Sequence, residues 1–162
     1  MQNSMALPTP GFSTNRTVRE YTEQHYLPAA LAYRERAAGD GARGLQLVSW
    51  RRGLGQGWAT LRFGEMNVVT VNEQHDFRVL VHLDSVQPDA VGVELCADDL
   101  EGHGQVRKEM ERVRRIADAV GSHVYFARVA ATRPTTDYTP RIVAHHVGAN
   151  VPLEAPFILW QR

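Results

Sequence analysis

Apolar and polar positions change period along this chain. Val18, Tyr21 and His25 fall at i, i+3 and i+7, with Tyr26 beside them. That spacing predicts an amphipathic helix over Thr14–Tyr26 whose stripe needs a partner surface. Ser13 or Thr14 can cap it, and Thr17 with Glu20 has the spacing of a capping box. Pro28 should bend or restart the helix. Ala29 to Ala38 has high helix propensity, and Gly39-Asp40-Gly41 should end it. Leu47, Trp50 and Leu54 share a further helical face, which Gly53, Gly55 and Gly57 weaken.

After Trp58 the period becomes two. Phe77, Val79, Val81 and Leu83 alternate with Asp76, Arg78, Leu80, His82 and Asp84, and Val91, Val93 and Leu95 alternate with Gly92, Glu94 and Cys96. Gln87-Pro88-Asp89 separates the runs, so they read as two half-buried antiparallel strands around a turn. Tyr125–Val129, Ile142–Val147 and Phe157–Trp160 read as further strands. Residues 105–119 are ambiguous. Val106, Met110, Val113 and Ala117 have helical spacing, with Ile116 and Val120 nearby. Tertiary pairing often overrides propensity, and a strand over 105–114 is the favoured expectation. The fold class expected is α+β, mainly β. A helical arm over residues 1–58 leads into an antiparallel Ig-like β-sandwich over residues 59–162. Residues 1–11, with Pro8, Pro10 and Gly11, read as a lead-in.

Composition narrows the function. A 162-residue chain with 43% hydrophobic residues can fill a core. Lys+Arg and Asp+Glu balance at 18 each, so no strong field invites nucleic acid or an anionic membrane. The start lacks the pattern of a signal peptide. The single cysteine, Cys96, excludes an internal disulfide and fits a reducing cytoplasm. Lys108 is the only lysine. Arginine cannot form a Schiff base, so any pyridoxal chemistry would have to use Lys108. Its charged neighbours read as a solvated surface.

Candidate chemistry is sparse. His145 and His146 are expected on opposite faces of a strand. A zinc site would need His123, His103 or an acidic residue brought in, and no ligand spacing is present. Cys96 is followed by Asp98-Asp99, which would raise a thiol pKa, so packing is the expected role. Glu109 and Glu111 read as a solvated charge run. Trp50, Trp58, Trp160 and Tyr125 offer either a stacking platform for a glucan or core packing. In the segment from Arg133 to Arg141, Asp137 lies between two arginines and could pair with either. Tyr138 could bond backbone through its hydroxyl, as in a tyrosine corner. The competing reading is a sugar or phosphate contact. The structural corner of Arg133, Asp137, Tyr138 and Arg141 is preferred.

The longer stretches carry a resemblance. Phe12-Ser13-Thr14-Asn15-Arg16-Thr17-Val18-Arg19-Glu20-Tyr21, Arg133 through Arg141, Pro152-Leu153-Glu154-Ala155-Pro156 and Trp160-Gln161-Arg162 resemble the carboxyl-terminal end of bacterial α-glucan (glycogen-type) phosphorylases. The resemblance runs from about Ser4 to Arg162. Pro140 and the His145-His146 pair look like features of the same branch. In that family the first stretch closes the catalytic body, and the rest forms a β-rich extension. The family moves a glucosyl unit from an α-1,4-glucan to phosphate, using pyridoxal phosphate on a lysine. The residues for that chemistry lie upstream of the resemblance. It implies a non-catalytic accessory domain or fragment with no catalytic, cofactor-binding or metal residue and no cofactor of its own. The implied partner is the phosphorylase catalytic body, with an α-glucan and a homodimer through the arm as further expectations. An independent carbohydrate-binding module and an unrelated Ig-like interaction domain are the alternatives.

Overall fold

The computed structural model describes residues 14–99, 104–115 and 121–162. The lead-in, the Ser13 cap, His103 and the apolar positions at Ile116, Ala117 and Val120 lie outside the described residues. Two compact units divide the chain, residues 1–46 and 47–162. Helix and strand are comparable in extent, so strand does not predominate as expected.

Helix α1 spans Thr14–Tyr21, a π-helical turn spans Thr22–Tyr26, and α2 spans Leu27–Gly57. Pro28 explains the π turn. Inside a helix its ring would collide with the carbonyl of Gln24 and it has no N–H to give. The wider turn, closed by the Leu27 amide on the Thr22 carbonyl, relaxes the backbone there. Thr17 and Glu20 lie within α1, not at its start, so they form no capping box. Glu20 instead accepts from Arg16 at 2.6 Å, one turn away. Inside α2 the backbone leaves helical angles at Ala38, Gly39, Asp40 and Gly41, and the last three have positive φ. The Gly-Asp-Gly break therefore falls where expected.

From Leu47 onward the helix belongs to the second unit, which therefore begins ahead of the change in period at Trp58. Leu54 is buried there, and Trp50 packs against the same core. This packed face carries the helix through Gly53 and Gly55 despite their low propensity.

Two antiparallel sheets of four strands follow. One holds β1 (Arg62–Val71), β2 (Gln74–His82), β6 (Ser122–Ala130) and β5 (Glu111–Arg115), in that order. The other holds β4 (Gln105–Glu109), β3 (Val91–Asp98), β7 (Thr139–Ala144) and β8 (Ile158–Trp160). Phe77, Val79, Val81, Tyr125 and Ala127 from the first join Val91, Val93, Leu95, Ile142 and Ala144 from the second in one buried cluster. The period-two alternation supplies these inward faces.

Three expectations change. The runs 77–83 and 91–95 do not pair. β2 lies in one sheet and β3 in the other, because residues between Leu83 and Ala90 cross between sheets through a 3-10 turn at Pro88–Ala90. β1 was not anticipated. It pairs with β2 through a two-residue turn at Asn72 and Glu73, both at positive φ, the backbone a tight hairpin demands. β7 ends at Ala144, so His145 and His146 follow the strand rather than continue it.

The described part of the ambiguous segment is strand, Gln105–Glu109 and Glu111–Arg115. β4 pairs with β3 up to Glu109, and the Met110 amide still donates to the Val93 carbonyl. The chain then enters β5 and pairs with β6. One extended run thus passes between sheets at Met110, whose side chain is buried.

Candidate functional site

The corner before β7 is tied to both sheets. The Arg133 carbonyl accepts from His75 Nε2 at 2.9 Å, and the Arg133 guanidinium donates to the Asp98 carbonyl. A carbonyl only accepts, so Nε2 carries the proton. Its Nδ1 meets the Thr70 hydroxyl at 2.7 Å. His75 is buried and escaped the sequence reading. Its place opposite Thr70 in the hairpin was the available signal.

Tyr138 is buried, packs edge-on to Phe77 at 5.3 Å, and lies beneath the Arg133 guanidinium. With Ile142 and Ala144 it forms an inward row. Its hydroxyl bonds no described residue, so the tyrosine-corner bond is not formed among them. Asp137 pairs with neither arginine. Its side chain is exposed, and its backbone closes the 3-10 turn Thr135–Asp137. Arg141 turns to Glu94 instead, at 2.6 Å, and stacks on Trp160. Fixed register explains this choice, since Arg141 directly opposes Glu94 on β3 and Trp160 on β8.

The four aromatic candidates are not brought together. Trp50 donates to the Ala90 carbonyl and meets His146, Trp58 meets Phe157, and Trp160 meets Arg141. Tyr125 is buried in the core. His145 and His146 differ as well: His145 is exposed, and His146 is half-buried against Trp50. No group of three or more potential metal ligands occurs among the described residues. Cys96 is buried, and burial pushes its thiol pKa up.

A cleft of about 590 Å³ opens where the chain changes sheets. Asp89, Val91, Lys108, Met110, Arg112 and Tyr125 are among its walls. The β4–β3 ladder stops at Glu94, so Val91 and Gly92 have β7 on one side and the cleft on the other. Arg112 of β5 reaches Asp89 beside β3 at 3.0 Å, joining the two sheets across the opening. Tyr125 is 3% exposed, and its hydroxyl has no partner among the described residues. Burial pushes this phenol up, Arg112 opposing and Asp89 reinforcing the shift. Lys108 and Glu109, read from sequence as surface residues, are exposed at the rim.

No protein-family model matches the chain, and no curated protein does either. No helix among the described residues is long and apolar enough to cross a membrane.

Proposed function

We propose that the chain is a non-catalytic accessory region of an α-1,4-glucan phosphorylase, working in the cytoplasm. Its strand unit is an Ig-like β-sandwich, and its helices are the arm that docks on a catalytic body. One observation carries the reading. Val18, Tyr21, Tyr26, Leu27, Leu31 and Tyr33 are each more than half exposed. They lie on and just after the segment that resembles the end of the phosphorylase catalytic body. So many apolar side chains on one short stretch need cover. The paired sheets and their shared core support the sandwich.

Lys108 supports a non-catalytic role. A Schiff-base lysine is activated by desolvation or by a neighbouring cation. Lys108 is an exposed residue on an edge strand, with Glu109 beside it. Pyridoxal phosphate therefore belongs to the parent's catalytic body in this reading, and the chain alone has no phosphorolytic activity.

The test mixes the chain with an α-glucan phosphorylase body that lacks its own carboxyl-terminal extension. Size-exclusion chromatography should show a complex that Val18→Asp with Tyr26→Asp abolishes. Retention on amylose without association would favour a carbohydrate-binding module. Self-association without binding to the body would make the arm a dimer contact. Either result removes the docking role.

A further inference from the structure

Strand register sorts the charges around the crossover cleft. Lys108 opposes Leu95, and Arg112 opposes Tyr125. Both partners are buried, so Lys108 and Arg112 share the inward side of the run on either side of Met110. Glu109 opposes Glu94, and Glu111 opposes Phe126. Those partners are half-buried on the outer faces. Register thus puts the cations on the core-facing side of the run and the carboxylates on the other, although all four side chains are exposed and Glu109 and Glu111 also line the cleft. Four extended residues span about 13 Å, so Lys108 and Arg112 bracket the cleft along its length.

Tyr125, opposite Arg112 and among the cleft walls, has its hydroxyl buried and unpartnered among the described residues. A phenol is a proton donor at neutral pH, and burial pushes this one further up. A buried hydroxyl without a partner is costly and calls for an explanation. Inward charges on an edge strand do discourage pairing with other chains. That role accounts for Lys108 and Arg112, but not for the Tyr125 hydroxyl. Asp89 holds Arg112 from outside, with its own side chain 90% exposed, so it is free to swing away.

We propose that this cleft binds a small oxyanion, which accepts from the Tyr125 hydroxyl and the Arg112 guanidinium, displaces Asp89, and gains further attraction from Lys108. Phosphate and carboxylate share the required chemistry, because each presents anionic acceptor oxygens to donors in a partly dry site.

The test is an amide NMR titration of the full chain with sodium phosphate, and separately with sodium acetate, at constant ionic strength set by chloride. Saturable shifts at Val91, Gly92, Arg112 and Tyr125 are expected with at least one anion. The anion that saturates at lower concentration identifies the ligand as phosphate or carboxylate. Tyr125→Phe and Arg112→Gln should each weaken binding about tenfold, the usual size for losing a hydrogen bond to a charged group. Asp89→Asn should tighten it, because the competing carboxylate is gone. If Arg112→Gln does not fold, Lys108→Gln at an exposed position replaces it and should also weaken binding. Absence of saturable shifts with both anions overturns the proposal. Shifts that survive unchanged in Tyr125→Phe, or an Asp89→Asn protein that binds no tighter, overturn it as well.

Discussion

Arg141 and Glu94 face each other across β7 and β3, and their side chains meet at 2.6 Å with Arg141 almost fully covered. Trp160, the partner of Arg141 on β8, closes the other side with its ring centre 5.1 Å from the guanidinium. A charge held this way is costly to leave alone. Arg141→Met should destabilise the fold by roughly 2–3 kcal/mol, below the full cost of breaking a buried pair because Glu94 keeps some contact with water. Urea unfolding checks the size. A loss under about 0.5 kcal/mol would put the pair among ordinary surface bridges.

Tyr138 and Asp137 are neighbours with opposite fates. Tyr138→Ala should cost about 3–5 kcal/mol, since it empties a site against Phe77. Asp137→Asn should change stability by less than about 0.5 kcal/mol, because the exposed carboxylate forms no ion pair among the described residues. Thermal melts of both variants decide this. Similar melting points for the two would contradict the packing described here.

Gly121 has φ +76°, and a Cβ there would lie 2.8 Å from backbone atoms of Asp84. Its carbonyl also accepts from the Leu83 amide at 2.7 Å. Backbone cannot step aside as a flexible side chain can. Gly121→Ala should therefore cost roughly 2–4 kcal/mol, combining strain at positive φ with overpacking. A variant as stable as the parent in a denaturant melt would rule out this close approach.

Tyr125→Phe should not destabilise the protein. It removes a buried hydroxyl that has no described partner while keeping the ring, and a gain of up to about 1 kcal/mol is expected in the absence of added anions. Calorimetry in chloride buffer is the check. A clear loss of stability would mean that the hydroxyl has a partner in the folded protein.

Asp76 is held below the ordinary carboxylate range, chiefly by its hydrogen bonds from Arg128 at 2.5 and 2.7 Å. A depressed folded pKa favours the folded state above the unfolded value. That contribution is lost as pH falls through the folded value. Arg128→Met should raise the Asp76 pKa toward normal, as read from carboxyl NMR shifts. An unmoved titration would show that Arg128 is not the cause.

Several features were readable from residues alone because local physics sets them. Pro28 cannot continue an unperturbed helix, and Gly39-Asp40-Gly41 can take the left-handed angles that interrupt one. Alternation at Phe77–Leu83 and Val91–Leu95 marked inward faces that are indeed buried. Parity also placed Tyr138 in one row with Ile142 and Ala144.

Other features depended on which strands meet. Alternation shows that a strand has a buried face, but not which strand pairs beside it. Hence β2 and β3 looked like a hairpin and lie in different sheets. Spacing at 105–115 suited a helix, and pairing with β3 and β6 made it strand. Arg141 chose Glu94 over Asp137 because register brought the distant carboxylate opposite it. The same crossing at Met110 opened the cleft, with Tyr125 among its walls. Local preference reaches only a few residues, whereas contacts between residues far apart in sequence exist only after the sheets have formed.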